Sequence, residues 1–218
     1  MVLSHAHIDH SGDLPLLVKQ GYRGPIYTTP STVDLCEKML KDSAHIQESD
    51  AEFVSRRVYR RKAIGVSAGQ DAVMPLYTQA DAEQAMQQFR PVSLHTPQLL
   101  AGSTADAGFT TTTFDAGHML GSTCVMVEAR EKGQTTRLLF SGDVGRKGLP
   151  IINDPEKAWA ADYLIMESTY GNRLHQPIGP VKKKLAHLVN RTAQRGGHIV
   201  MRRLQWGGRS RWCYCCMS

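Results

Sequence analysis

The stretch SHAHIDHSG, residues 4–12, places three histidines and one aspartate within six positions. The apolar pair Val2–Leu3 before it is typical of the end of a β-strand. In an extended segment, residues two apart face the same way, so His5 and His7 are expected to point together toward one place. Such a density of imidazoles at one strand end indicates that these side chains share a common binding partner.

Two more polar side chains follow in the same motif. As the chain turns, Asp9 and His10 are expected to face a second point nearby, and a helix is predicted to open at 12–13 beside them. Imidazole nitrogens and carboxylate oxygens are the ligands that zinc and its neighbours accept. A polar loop that happens to contain histidine is the alternative, but H-x-H-x-D-H is far more specific than a single H-x-H. The motif therefore predicts a metal site.

Two later segments can complete such a site. FDAGHMLGS (114–122) carries His118 between glycines just before a predicted strand, and LLFSGDVGR (138–146) ends an apolar strand with Asp143. A lone histidine or aspartate at a strand end is more often structural. Together with the first motif, however, these two supply the missing ligands, and a carboxylate such as Asp143 can bridge two cations because it offsets part of their mutual repulsion.

Composition sets broad limits on the chain. Its 218 residues allow one sizeable domain, or one domain and part of another. The net charge of +6 suits a polyanionic partner such as nucleic acid, but an ordinary solvated surface would have the same excess. No apolar run approaches the roughly 20 residues of a membrane span, and the first residues lack the features of a signal peptide. We therefore predict a cytoplasmic protein without a membrane segment.

The order of elements is helices first, then strands, then a mixture, which predicts α/β or α+β layers. Helices are predicted at 13–24 with a stop at Gly21, from Pro30 to about Lys41, in part over 45–62, at 78–89 with a capping-box start at Thr78 and Asp81, and at 181–197. Strands are predicted at 25–29, 110–116, 122–129, 136–143, 162–169 and from His198 onward.

Four motifs in this order, HAHIDH, AGHMLGS, FSGDVGR and MESTYGNR, resemble those of the metallo-β-lactamase superfamily. ESTYGNR together with LPLLVKQGYRGPIYTTP (14–30) narrows the resemblance to the β-CASP branch. These are RNA-processing nucleases related to the nuclease subunit of the cleavage and polyadenylation specificity factor. The resemblance implies an αββα sandwich and zinc-dependent hydrolysis of RNA phosphodiester bonds.

Carried over residue by residue, the resemblance implies two zinc ions. His5, His7 and His118 would hold one, Asp9 and His10 the other, with Asp143 shared between them. Glu167 would belong to an acidic motif that orients an acid–base histidine, which makes Asp9 and Glu167 the candidate catalytic residues. Two ions about 3.5–4 Å apart would supply hydroxide for in-line attack on phosphorus. Lys182–Lys184 and Arg56–Lys62 are candidates for a positive RNA groove, although each is equally typical of a solvated helix face.

The chain also departs from the family pattern. We predict a metallo-β-lactamase-like domain over 1–173 that lacks the family's first strands, the beginning of a β-CASP domain over 174–200, and an anomalous tail over 201–218. An uncovered sheet predicts self-association into homo-oligomers. Two further family histidines, one a general acid and one a zinc ligand, would follow His198, so impaired activity is expected. His175 or His198 would have to donate the proton in an active chain.

The tail MRRLQWGGRSRWCYCCMS (201–218) is unlike the family. Possible codons for it permit a Phe-Ala-Val-Gly-Arg continuation that the family has, so we expect a frameshift near Met201. On that interpretation Cys213, Cys215 and Cys216 are an accident of reading frame and bind no metal in particular.

Two alternatives to an RNA nuclease stay open. One is another hydrolase of the same fold, of the thioesterase or lactonase type, which would carry the same first motif. ESTYGNR and the helical insert at 30–90 favour the nuclease over it. The other is a non-enzymatic metal-binding remnant, which would bind zinc without cleaving RNA.

Overall fold

The computed structural model describes residues 1–63, 73–100, 103–104, 107–157, 160–174 and 178–200, without the side chains of 60–63 and 178. Helices dominate the first part of this described chain and strands the second, which confirms the mixed α/β class. The predicted tail over 201–218, with its cysteines and the proposed frameshift, lies outside the described residues.

The helices are α1 (Ile8–Ser11), α2 (Leu14–Lys19), α3 (Pro30–Ala63), α4 (Gln79–Met86) and α5 (Ile178–Gln194). The strands are β1 (Ile26–Thr28), β2 (Phe89–Pro91), β3 (Gln98–Leu99), β4 (Ala107–Asp115), β5 (Thr123–Glu131), β6 (Gln134–Phe140) and β7 (Tyr163–Ile165). Among the described helices, none is both long enough and apolar enough to cross a membrane.

The strands form two sheets. The larger has the order β3-β4-β5-β6-β7 and is antiparallel except for the parallel pair β6–β7. The smaller is the parallel pair β1–β2, and Val2 bridges in parallel to Tyr27 on its other side. The Leu3 N–H donates to Tyr27 O at 2.9 Å, so the predicted strand end at Val2–Leu3 is a single bridge that runs directly into the histidine motif.

A hydrophobic core joins the smaller sheet to the helices that precede and follow it. Its buried members are Leu3, Ala6, Leu14, Ile26, Cys36, Leu40, Ala44, Tyr77, Ala82, Phe89 and Met119. Met119 belongs to the loop that carries His118, so the core reaches the second ligand segment. Its burial fixes that loop against the helical layer by removing apolar surface from water.

Several helical predictions are confirmed and one is corrected. The capping box of α4 is present: the Asp81 carboxylate accepts from the Thr78 N–H at 2.8 Å. The predicted break after Lys41 is wrong, because α3 runs on for 34 residues. The buried face of α3 continues across the predicted gap, with Leu40 before it, Ala44 within it and Ala51 after it. Packing of this face against the rest of the protein outweighs the weak helix signal of the local sequence.

Three short elements were not predicted, and one predicted strand is wrong. α1, β2 and β3 have only four, three and two residues, too few to produce a recognisable period. Residues 198–200 are irregular, so the strand predicted from His198 does not form in its described part. β2 exists because β1 offers it a hydrogen-bonding partner far away in sequence.

Candidate metal centre

One edge of the larger sheet collects the later motifs. The end of β4 pairs with the start of β5, and the ends of β6 and β7 lie in register with them, through the pairs Asp115↔Thr123, Val125↔Phe140 and Phe140↔Ile165. Segments that follow these strands therefore leave the sheet at the same edge. His118, Asp143 and Glu167 all stand in such segments.

The first motif is tied to that edge by its own backbone. The Thr123 N–H and hydroxyl donate to Ser4 O at 2.8 and 3.0 Å, immediately before His5. Further on, the Ser11 hydroxyl donates to Ala6 O at 2.9 Å and to His7 O at 3.0 Å. The tight turn of α1 therefore folds the chain back so that Ser11 lies against the backbone of Ala6 and His7.

Two glycines bring the His118 loop against the Asp143 loop. The Gly145 N–H donates to Ala116 O at 2.8 Å, and a Cβ added at Gly145 would lie 1.6 Å from Gly117 O. Gly117 itself has φ +61°, which favours glycine. Only residues without side chains permit so close an approach, and it brings the two loops together.

Four ligand atoms converge, one each from His5, His7, His118 and Asp143, all within 4.8 Å of one another. His7 Nδ1 lies 3.1 Å from both His5 Nε2 and His118 Nε2. Asp143 Oδ2 lies 3.7 Å from His5 Nε2 and 3.4 Å from His118 Nε2. This group of atoms can hold a metal ion.

The two histidines of the first motif are held in their neutral form. Burial, reinforced by the neighbouring imidazoles of His10, His7 and His118, lowers the pKa of His5 to about 2. Burial also lowers the pKa of His7, with His118 the next cause. Neutral imidazole is the form that binds a metal, so near neutral pH both lone pairs are available.

The Ser4 hydroxyl lies next to the ring nitrogen of His5 that faces away from the other ligands. Ser4 Oγ lies 3.0 Å from His5 Nδ1. With its proton on Nδ1, His5 donates to the Ser4 hydroxyl and keeps a lone pair on Nε2, the atom that faces the other ligands. No sequence pattern pointed to Ser4, because a serine before a histidine carries no signal of its own.

Asp9 and His10 form a second group near the other oxygen of Asp143, and the His10 ring centroid lies 4.1 Å from that of His5. His10 Nε2 lies 3.3 Å from Asp143 Oδ1 and 3.7 Å from Asp9 Oδ2. The two oxygens of Asp143 therefore face different groups, Oδ2 the three histidines and Oδ1 His10. The Asp9 side chain is 74% exposed. The structure thus brings all six predicted ligands to one place, although Asp9 and His10 lie outside the compact four-atom group.

Comparison with known proteins places this arrangement in context. No protein-family model matches the chain. It is 29% identical over 201 residues to Ribonuclease TTHA0252 of Thermus thermophilus, 32% over 209 residues to Transcription termination factor FttA of Pyrococcus abyssi, and 28% over 206 residues to Endoribonuclease YSH1 of Saccharomyces cerevisiae. This chain is homologous to β-CASP nucleases of the metallo-β-lactamase family.

The likeness covers nearly all of the chain but only part of each relative. Each comparison includes 92% of the chain, and it spans 38%, 27% and 23% of the three β-CASP proteins respectively. The resemblance read from the motifs is confirmed, and the mixed α/β architecture is compatible with the fold of that family.

Glu167, from the β-CASP-like ESTYGNR motif, lies beside the Asp143 loop. Its Oε1 accepts from the Val144 N–H at 2.7 Å, and its own N–H donates to Ser141 Oγ at 3.2 Å. The implied role in orienting an acid–base histidine stays a prediction. His175 lies outside the described residues, and His198 stands in the irregular segment after α5.

The basic segments proposed for RNA lie on exposed helix surface. Lys182–Lys184 are exposed on α5. Arg56 on α3 pairs with Glu52 one turn earlier, and the side chains at 60–62 are not described. A solvated helix face accounts for both segments as well as an RNA groove does.

Sequence reasoning also missed the residues that hold the His118 loop. Ser122 Oγ accepts from the His118 and Met119 N–H groups, each at 3.1 Å. The hydroxyls of Thr29 and Thr32, at the start of α3, donate to Gly121 O at 2.7 and 2.9 Å. The two threonine contacts join segments about 90 residues apart, which no local pattern could have revealed.

Proposed function

We propose that this chain is the metal-binding part of a zinc-dependent hydrolase that cleaves RNA phosphodiester bonds. The observation that carries the proposal is the convergence of His5, His7, His118 and Asp143 on one point. The relatives' names, Ribonuclease and Endoribonuclease, support RNA as substrate, and the net charge of +6 suits a polyanion. We also propose that the protein is cytoplasmic. We further propose that its domain boundaries lie at residues 173 and 200.

The donor set fits zinc. Tetrahedral zinc with bonds of about 2.0–2.1 Å to nitrogen or oxygen places neighbouring ligand atoms about 3.3 Å apart. Four of the six separations in this group, 3.1, 3.1, 3.4 and 3.7 Å, bracket that value, and all six lie within 4.8 Å. The His5 and His7 nitrogens face each other at 3.1 Å, so they either share one N–H···N hydrogen bond or both direct lone pairs at one point. In the second case a divalent ion would accept both lone pairs.

A second ion is proposed on the other side of Asp143, held by Asp9 and His10. When bound, two zinc ions supply hydroxide at neutral pH and positive charge for the phosphoryl oxygens. The chain's own residues do the rest. Asp143, with an oxygen toward each group, offsets the repulsion between the cations, and the exposed Asp9 carboxylate is open to water, from which it can accept a proton.

Metal content of the purified full chain tests the site. The Cys213→Ser/Cys215→Ser/Cys216→Ser background removes thiolates that could bind zinc by themselves. In that background we expect at least one zinc per chain, and His5→Ala/His7→Ala should abolish it. The matched control is His45→Ala/His187→Ala, which removes two exposed histidines from α3 and α5. Unchanged zinc content in the His5/His7 variant would contradict the assignment.

Hydrolysis tests the reaction. A labelled single-stranded RNA and a thioester are offered to the zinc-loaded chain and to its Asp143→Ala variant. Weak zinc-dependent RNA scission that Asp143→Ala abolishes is the expected result. Thioester hydrolysis without RNA scission would favour the other hydrolases of this fold, and zinc binding without either reaction would leave a metal-binding protein that does not cleave RNA.

A further inference from the structure

The loop after β6 places Asp143 between the two groups of ligands, and the backbone there turns sharply. Gly142, just before Asp143, has φ +54°, a backbone conformation that residues with a side chain rarely adopt. A Cβ added at Gly142 would lie 3.0 Å from the Ser4 Cβ. The loop is thus packed against the residue that precedes His5. Small changes in it must alter where the Asp143 carboxylate points.

Glu167 contacts this loop from the end of β7. The Ser141 N–H donates to Ile165 O at 2.9 Å, which continues the β6–β7 pairing past the last residue of β6. The Glu167 N–H then donates to the Ser141 hydroxyl at 3.2 Å. The parallel pairing therefore brings Glu167 level with the turn that contains Asp143.

The Glu167 side chain completes the connection. Its Oε1 accepts from the Val144 N–H at 2.7 Å, one residue after Asp143. Hydrogen bonds from a neutral donor to a carboxylate are shorter and stronger than those between neutral groups. Glu167 is also half-buried, so the bond is partly shielded from competing water. The peptide that links Asp143 to Val144 is thereby held in one orientation.

We propose that Glu167 is a positioning residue for the metal centre, which aims the two oxygens of Asp143 at their separate groups by holding the Val144 N–H. The inference rests on the proposed metal site. It differs from the role of orienting an acid–base histidine, since it requires only a hydrogen-bond acceptor at Glu167 and predicts an effect on metal affinity rather than on proton transfer.

The two roles are separated by the choice of substitution. Glu167→Gln keeps an oxygen that can accept from the Val144 N–H but removes the charge. Glu167→Ala removes the acceptor as well. A group that orients a bridging ligand is expected to affect metal affinity by about 10–100-fold when it is lost.

The test is competition for zinc against a chelator of known affinity, with the full chain in the Cys213→Ser/Cys215→Ser/Cys216→Ser background. We expect Glu167→Ala to weaken zinc binding by about 10–100-fold, while Glu167→Gln stays close to the unmodified chain. Glu131→Ala, at the exposed end of β5, is the matched control and should change nothing. Zinc affinity in Glu167→Ala equal to that of the unmodified chain would overturn the inference, as would an equal loss in Glu167→Gln.

Folding and the site itself are checked separately. If Glu167→Ala fails to melt cooperatively, Ser141→Ala replaces it, because it removes the acceptor of the Glu167 N–H at the same turn. It should weaken zinc binding by a smaller factor, and unaltered affinity there would also overturn the inference.

If His5→Ala/His7→Ala leaves zinc content unchanged, the metal site itself fails. If that double variant loses zinc but the Glu167 series does not, only the positioning role fails.

Discussion

His5 is fully buried and touches polar partners on both ends of its ring. Its Nδ1 faces the Ser4 hydroxyl at 3.0 Å, and its Nε2 faces His7 Nδ1 at 3.1 Å. A buried ring so placed has only one useful tautomer for ligation, the one with its proton toward Ser4. In that tautomer the Ser4 hydroxyl accepts the hydrogen bond from Nδ1 and leaves the lone pair on Nε2.

Ser4→Ala should weaken zinc binding by about 10–100-fold without unfolding the chain, because His5 loses the acceptor that fixes its tautomer and orientation. Chelator competition measures the affinity, and thermal unfolding of the metal-free chain checks the fold. Ser93→Ala, at an exposed position, should behave like the unmodified chain. Equal zinc affinity in the two serine variants would argue against this role.

Gly145 permits the contact between the His118 and Asp143 loops. Gly145→Ala would place a Cβ 1.6 Å from the backbone oxygen of Gly117, which no rotamer change can relieve. The loops must separate, so we expect loss of zinc and a destabilisation of about 1–3 kcal/mol, typical of overpacking. Urea unfolding and metal analysis measure the two effects. Gly179→Ala in α5, where an added Cβ meets nothing within 4 Å, is the control and should neither destabilise the chain nor reduce its zinc content.

At the scale of the element, α4 depends on its first turn. The Asp81 carboxylate accepts from the Thr78 N–H at 2.8 Å and pairs with Lys19 Nζ at 3.0 Å. The backbone hydrogen bond from Thr78 is the first cause that lowers the pKa of Asp81, and the bond from Lys19 is the second. The ionised form is thus bound more favourably in the folded chain than in the unfolded one.

This linkage has a definite sign. Because the folded pKa lies below the usual value of 3.8, the unfolded chain binds more protons in that window, and the stabilisation is present above pH 3.8 and lost as pH falls through the folded pKa. Asp81→Ala should lower the free energy of unfolding by on the order of 1 kcal/mol at pH 7. The difference should shrink at strongly acidic pH. Urea unfolding of the unmodified chain and of Asp81→Ala, at pH 7 and at strongly acidic pH, measures this difference in the free energy of unfolding. A difference that grows in acid would contradict the expectation.

At the scale of the whole molecule, the larger sheet ends in an exposed apolar strand. Tyr163, Leu164 and Ile165 of β7 are 65%, 58% and 53% exposed, and β7 is the last strand in the order of its sheet. Open apolar edges favour pairing between molecules.

We therefore expect the 218-residue chain to self-associate as its concentration rises, measured by light scattering coupled to size exclusion. Leu164→Lys should reduce the association, because a charge on the edge strand opposes pairing. Thr135→Lys, which adds the same charge at an exposed position on β6, should have less effect. A monodisperse monomer at every concentration would show that this edge does not drive association.

Local signals in the sequence determined much of this protein. The spacing in SHAHIDHSG, the glycine-flanked His118 and the strand-end Asp143 identified the candidate ligands, since residue type and short-range geometry suffice to recognise them. The α4 capping box was equally readable, because its partners are three residues apart. The apolar runs located β4, β5 and β6 for the same reason, as their alternation is a property of consecutive residues.

Only the tertiary structure decided how these pieces meet. His7 and His118 are 111 residues apart, and their nitrogens approach to 3.1 Å because the hydrogen bonds from Thr123 to Ser4 O tie the first motif to the sheet end that carries the His118 loop. The contacts of Val144 with Glu167 and of Thr29 with Gly121 each involve a backbone group that lies far from its partner in sequence, and no side-chain pattern encodes them. Hydrogen bonds between distant segments exist only after the sheets have paired, so their physical cause lies in packing rather than in any stretch of sequence.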